Sequence, residues 1–297
     1  MINLLIDSHS VGYRAHHSTG SLDAGIAFGF LTTILQLAER YRTNQLVFCW
    51  DGPGSLRKKL FPAYKESHEV KTQEEVAERM MIRTQFNTLH EHILPKIGFS
   101  NHLQCSGYEA DDLIAKVVID NPAKFFVVVS SDHDLFQLLR FSNCKEQFQL
   151  SIGHSINASQ FYVKYRIPAR DWTTVKAIAG CLGDGVPGIP GVGEKTAIKY
   201  LLGELPENKK FKTIMNGTTI ISRNYKLVHL PYPGIKSLTI KKDLFNETIV
   251  QQVFSDLGFV SFLSGQMRSR WCSFCTGSFD KNKPLLIQRN RIQYGQE

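Results

Sequence analysis

The chain has 297 residues, 42% of them hydrophobic and 21% charged, an ordinary globular balance that suits one large α/β domain or a core with a small appended module. Its net charge of +8 favours polyanionic partners, because neutralising phosphates releases counterions, although charge alone leaves an ordinary basic protein open. The opening apolar run from Ile2 is stopped by Asp7, too short for a signal-peptide core or a membrane span, and no other segment approaches membrane length. A cytoplasmic protein without membrane contact is expected.

Three short apolar runs each end in an acid: INLLID at Asp7, LVFCWD at Asp51 and FFVVVSSD at Asp132. Runs of this kind suit central strands of a sheet covered on both faces. Helical stretches lie between them, from Ala24 to Tyr41, from about Thr72 to His92, and from Tyr108 through YEADDLIAKVVID. This alternation predicts an α/β fold with a largely parallel central sheet and helices on both faces. Beyond Asp171 the pattern changes to short helices with glycine-proline punctuation, and beyond Lys209 no clear boundary is readable.

Between the second strand and the next helix, SLRKKLFPAYKESHEVK interleaves Arg57, Lys58, Lys59, Lys65 and Lys71 with Phe61 and Tyr64. Cations among rings suit a single nucleic-acid strand, whose bases stack while its phosphates pair. The neighbouring glutamates suit a solvated mixed-charge helix equally well, so composition leaves both open. His90 and His92 diverge on a helix, and His16 and His17 read as solvated. Six cysteines occur, of which only Cys272 and Cys275 form a CxxC, with no second pair to complete a zinc site, so reduced thiols are expected.

In a parallel sheet the ligand crevice lies beyond the carboxyl ends of the strands, where Asp7, Asp51 and Asp132 all fall. Glu109, Asp111, Asp112, Asp134 and Asp184 extend the acidic set. On a helix beginning near Tyr108, Glu109 and Asp112 share a face, and Asp111 lies off it unless the first turn is irregular. Taken singly, Asp132 could cap a helix, and Asp111 and Asp112 could be first-turn acids. Taken together, so many convergent carboxylates need cations, and an all-oxygen set points to Mg²⁺ or Mn²⁺. Two such ions about 3.5–4 Å apart suit in-line phosphoryl displacement.

Further on, GIPGVGEKTA places Gly188, Gly191 and Gly193 before a helix near Glu194. Glycines permit close backbone approach, and amides at a helix start bind phosphate without reading bases. A helix-hairpin-helix for DNA backbone is one reading, and a plain turn between helices is the other.

These strings resemble the 5′-nuclease or flap-endonuclease superfamily, in particular phage 5′-3′ exonucleases and the 5′-nuclease domain of bacterial DNA polymerases. LLIDSHS, WDGPGSLRKKLFPAYK, YEADD, SSDHDLFQLL and VPGIPGVGEKTA occur in family order over roughly residues 1 to 230. The resemblance implies a metal-dependent structure-specific 5′-3′ exonuclease or flap endonuclease acting on DNA with a free 5′ end. Asp7, Asp51, Glu109, Asp111 and Asp132 would hold a first ion, some through water. Asp112, Asp134 and Asp184 would belong to or border a second. Arg57, Tyr64 and Lys65 would stand at the base of a helical arch, with Lys65 acting on the scissile phosphate. Gly188, Gly191, Val192, Gly193, Lys195 and Thr196 would grip duplex, with a K⁺ between hairpin and phosphate.

Two departures stand out. Similar proteins read G-D-x-x-D-N where this chain reads GCLGDG, so Cys181 replaces an aspartate and Gly185 an asparagine, with Asp184 surviving. A thiol is a poor Mg²⁺ ligand, which predicts a weakened or Mn²⁺-dependent second ion. His68 stands where an arginine is usual.

The expected organisation is a nuclease core over 1–170 with an arch at about 54–96, a helix-hairpin-helix region over 171–230, and a C-terminal region over 231–297 packing on the core. A monomer is expected, and no polymerase or clamp partner is indicated. The alternatives are a PIN-like ribonuclease and a non-catalytic flap-DNA-binding protein whose second metal site has decayed.

Overall fold

The structure, a computed structural model, describes residues 1–19, 24–66 and 72–280. His68, Lys71 and the tail beyond 280 lie outside the described residues. Six strands form the main sheet: β1 (Ile2–Asp7), β2 (Leu46–Trp50), β3 (His102–Gln104), β4 (Phe125–Val129), β5 (Cys144–Gln149) and β6 (His154–Ile156). Their order is β3-β2-β1-β4-β5-β6, with every pairing parallel except β5–β6.

Why the strands read as unbroken apolar runs is clear from their two faces. Leu4, Ile6, Leu46, Phe48, Val127 and Val129 belong to one core, while Leu5, Val47, Phe126 and Val128 belong to the other. A strand buried on both sides has no polar alternation to show. The first core is covered by helix Gly25–Tyr41, helix Gln73–Thr88 and, from the C-terminal region, helices Glu247–Asp256 and Gly265–Thr276. The second is covered by helices Ala110–Asp120, Ala158–Tyr165, Trp172–Ala179 and Glu194–Leu201.

Asp243 ties the C-terminal region to the far sheet edge. Its buried carboxylate accepts the N–H of Ser100 at 2.8 Å, the side-chain amide of Asn101 at 3.1 Å and the N–H of Leu46 at 3.4 Å. Cys272 and Cys275 lie on one helix with free thiols, and Cys272 Sγ donates to Glu247 Oε1 at 3.0 Å. Among the described residues no helix is long and apolar enough to cross a membrane.

Chain direction reverses at β1. The chain leaves β1 for β2 and β3 on one side, then returns to place β4 against its other edge. Such a switch point opens a crevice beyond the strand ends, and Asp7 and Asp132 flank this one.

Candidate active site

Asp7 ends β1 with its carboxylate turned into the crevice. Oδ1 accepts the N–H of Ser10 at 3.1 Å, and Oδ2 accepts the hydroxyl of Ser130 at 2.7 Å. That same hydroxyl oxygen accepts the N–H of Asp132 at 3.1 Å, so one buried serine joins the ends of β1 and β4. Burial pushes Asp7 up to about 6, and the charges of Asp51 and Asp132 push the same way, against the two hydrogen bonds. Asp51 follows β2 and uses Oδ1 to accept the N–H of Ala110 at 2.8 Å. It thereby caps helix Ala110–Asp120 from another strand end. His9 Nδ1 accepts the Asp51 N–H at 3.3 Å, while burial lowers the pKa of the imidazole.

Glu109 and Asp112 meet at one guanidinium, Arg57 Nη1 lying 3.9 Å from Glu109 Oε2 and 2.6 Å from Asp112 Oδ2. Glu109 stands at the N-cap with extended backbone, φ −97° and ψ 162°, and its N–H donates to Asp112 Oδ2 at 3.1 Å. Asp111 is the residue that joins the strand-end acids. Burial, and then the charges of Asp132 and Asp7, hold its carboxyl well above the usual range.

Asp112 points the other way, fully buried, and receives Arg57 Nη1 at 2.6 Å and Nη2 at 2.7 Å. It also accepts the N–H groups of Glu109 at 3.1 Å and Tyr232 at 2.7 Å. Both its oxygens are therefore taken, and the expected place for Asp112 beside a second ion is corrected. Arg57 is the partner that takes them. Only 2% exposed, Arg57 also donates Nε to Leu227 O at 2.7 Å, so its guanidinium is engaged by buried partners.

Tyr64 and Lys65 do reach the acids. The buried Tyr64 hydroxyl donates to Glu109 Oε2 at 3.0 Å, and Lys65 Nζ donates to the same oxygen at 3.0 Å. Lys65 Nζ also lies 3.5 Å from Asp184 Oδ1, and its backbone N–H donates to Asp184 O at 2.8 Å. Burial opposes its charge, but Glu109, Asp184 and Asp51 outweigh it and hold the ammonium protonated well above the ordinary lysine range. Lys65 has φ +55°, a left-handed conformation costing roughly 1–3 kcal/mol in a non-glycine residue, which persists where surrounding contacts dictate it.

Asp134 and Asp184 gather at a second corner. With Cys181 they form the only group among the described residues whose three ligand atoms all lie within 4.8 Å of one another. Cys181 Sγ donates to Asp134 Oδ2 at 3.4 Å and lies 3.5 Å from Asp184 Oδ2. Burial, reinforced by both carboxylates, pushes the thiol far up, so it is protonated. Asp134 is itself pushed up to about 6, by burial first and then by Asp132, with Lys176 opposing.

The hairpin splits by residue. A Cβ on Gly188 would lie 2.1 Å from Ala179 O, so this glycine serves close packing against the preceding helix. Val192 is buried in the second core. Gly191, with φ +74°, and Gly193 face open space, as does exposed Lys195, and Thr196 is half-buried at the helix start. Sequence reasoning passed over Ser130, His9, Lys176 and Glu194. Ser130 stood inside the quoted FFVVVSSD string, while nothing in the order of residues marked Lys176.

Residues 3–165, over half of the chain, match the family described as 5′-3′ exonuclease, N-terminal resolvase-like domain. The chain belongs to this 5′-3′ exonuclease family. It is 28% identical over 269 residues to a 5′-3′ exonuclease of Bacillus subtilis, covering 82% of this chain and 87% of that one. It is 31% identical over 210 residues to DNA polymerase I of Deinococcus radiodurans, matching 67% of this chain but spanning only 20% of the polymerase. Among solved structures, the 5′-exonuclease of bacteriophage T5 with bound zinc ions aligns with a TM-score of 0.68 at 21% identity. That alignment covers 88% of this chain and all of the phage protein, and it shows a shared fold.

Proposed function

We propose that this family member hydrolyses DNA phosphodiesters beside a free 5′ end or flap, with Mg²⁺ or Mn²⁺ held by Asp7, Asp51, Glu109, Asp111 and Asp132. The observation that carries the reading is the pair of acids, buried Asp7 and half-buried Asp111, whose carboxyls are both pushed up by desolvation and by neighbouring carboxylates. Asp7 is held only by neutral donors, Ser10 and Ser130. Charge left unbalanced among oxygen donors fits a hard divalent ion. Such an ion would set positive charge against the charge that develops on the scissile phosphate.

The chain's own groups supply the rest. Lys65, charged and 35% exposed in its side chain, is placed to receive a phosphate oxygen beside Glu109. Tyr64 keeps Glu109 turned toward the crevice through its hydroxyl bond. The open turn at Gly191 and Gly193, with Lys195 and Thr196, offers backbone amides to a duplex phosphate, a contact that grips without reading sequence and has room for a K⁺. The residues before and after 67–71 would border the passage for a 5′ single strand. In this reading the protein works as a cytoplasmic monomer, without a membrane.

A 5′-labelled flap duplex incubated with and without Mg²⁺ or Mn²⁺, with products resolved by size, tests the reading. Metal-dependent cuts close to the flap junction or 5′ end are expected. Uncut DNA in both metals removes the nuclease assignment, and preference for a matched RNA flap moves it to ribonucleases.

A further inference from the structure

The second acidic corner does not fit a second Mg²⁺. Asp134 and Asp184 bring four oxygens to it, and each already faces a group from the chain. Lys176 Nζ lies 3.0 Å from Asp134 Oδ1 and Lys65 Nζ 3.5 Å from Asp184 Oδ1. The Cys181 thiol stands between the remaining two, 3.4 Å from Asp134 Oδ2 and 3.5 Å from Asp184 Oδ2. Sulfur is a poor ligand for an ion that selects oxygen, so the third side chain of this corner does not complete an oxygen site.

Lys176 is built in. It sits on helix Trp172–Ala179, 8% exposed, and its ammonium also donates to Glu194 Oε1 at 3.1 Å. Glu194 is the first residue of the helix that follows the hairpin turn. Removing the ammonium would leave Asp134 a buried carboxylate without a counter-charge at that oxygen, a costly arrangement. The strand-end acids differ. Among the described residues no lysine or arginine lies within 4.0 Å of Asp7, Asp51, Asp111 or Asp132.

We propose that the Lys176 ammonium is the resident cation of this corner and takes the place of a second divalent ion, so that the chain holds one such ion, at the strand-end acids. The same lysine couples the acidic corner to the hairpin helix through Glu194. The inference rests on the nuclease reading for the role of the remaining ion. Ion number, however, can be counted on protein that cuts nothing.

Mn²⁺ titration of the full chain, followed by electron paramagnetic resonance without DNA, makes that count. One Mn²⁺ per chain is expected for the wild type. The Lys176→Met/Cys181→Asp variant, which removes the ammonium and adds a carboxylate, is expected to bind a second with affinity within about tenfold of the first. Two ions on the wild type, one of them lost in Asp134→Asn, overturn the resident ammonium and leave the nuclease reading standing. No bound ion contradicts both. Cd²⁺ gives an independent arm. If it shields Cys181 from alkylation and produces a thiolate-to-metal absorption absent from Cys181→Ser, the corner is a soft-ion site and the proposal falls. Should the double variant fail to fold, the wild-type count and the Cd²⁺ arm still decide.

Discussion

The two groups of acids sit in one crevice yet are balanced in opposite ways. At the strand ends Asp7 has neutral partners only, from Ser10 and Ser130, and burial together with Asp51 and Asp132 raises its carboxyl to about 6. At the second corner Asp134 and Asp184 face lysine ammoniums 3.0 and 3.5 Å away and share a thiol proton. Counting acids alone would treat both groups as metal sites. Lys65 reaches Glu109 of the first group as well, but among the described residues Asp7, Asp51, Asp111 and Asp132 have no lysine or arginine within 4.0 Å, and in the reading proposed above that shortage invites a divalent ion.

The largest expected effect comes from breaking the first group. Asp7→Asn or Asp111→Asn should slow metal-dependent cleavage by roughly 10⁴-fold, measured in single turnover, because the ion and the phosphate both lose their anchor. Activity within a few-fold of wild type would show that the strand-end acids hold no catalytic ion.

Next is the buried pair of Asp112, which the family resemblance had set beside a second ion, and Arg57. Asp112→Ala should cost roughly 3–5 kcal/mol in chemical denaturation, since it strands the Arg57 guanidinium in the interior. Replacing both partners by apolar residues of similar volume should recover much of that loss. If Asp112→Ala melts like wild type but binds Mn²⁺ more weakly, Asp112 belongs with the metal ligands after all.

Lys65 spans the two groups, bonding Glu109 in one and Asp184 in the other. Lys65→Ala should slow single-turnover cleavage by on the order of 10²-fold while duplex affinity, read by fluorescence anisotropy, changes little. An unchanged rate removes Lys65 from the chemistry.

Asp243 offers the control, a buried acid with neutral donors but no neighbouring carboxylate, raised to about 6 by burial against its hydrogen bonds to Ser100, Leu46 and Asn101. Its folded pKa lies above the unfolded value of 3.8, so its contribution to stability is fully present below pH 3.8 and is lost as pH rises through about 6. Asp243→Asn should flatten the fall in melting temperature between pH 4 and 6 and leave stability at pH 7 within about 1 kcal/mol of wild type. Parallel curves for the two proteins would mean that Asp243 ionises normally.

Much of this was legible in residue order because it depends on local chemistry. Apolar runs ending in Asp7, Asp51 and Asp132 imply strands buried on both faces, and parallel strands must present those ends together. The partner of Asp112 was not legible, because it comes from a distant segment. Glu109 is extended and the helix begins at Ala110 rather than near Tyr108, while Asp112 is tied to Arg57, 55 residues away in the chain. The distinction between exposed and packed glycines in the hairpin was hidden for a similar reason, since Gly188 meets Ala179 O only after the preceding helix folds back.

Sequence alone determined the strand order of chemistry: which acids stand at strand ends, that the hairpin string follows them, and that a cysteine stands three residues before Asp184. Tertiary structure decided which of those acids still lack a cation. Lys176, Ser130 and Arg57 approach from segments 18 to 170 residues away from the groups they bond. Charge balance is a property of distance in space, and residue order carries no record of it until the chain closes on itself.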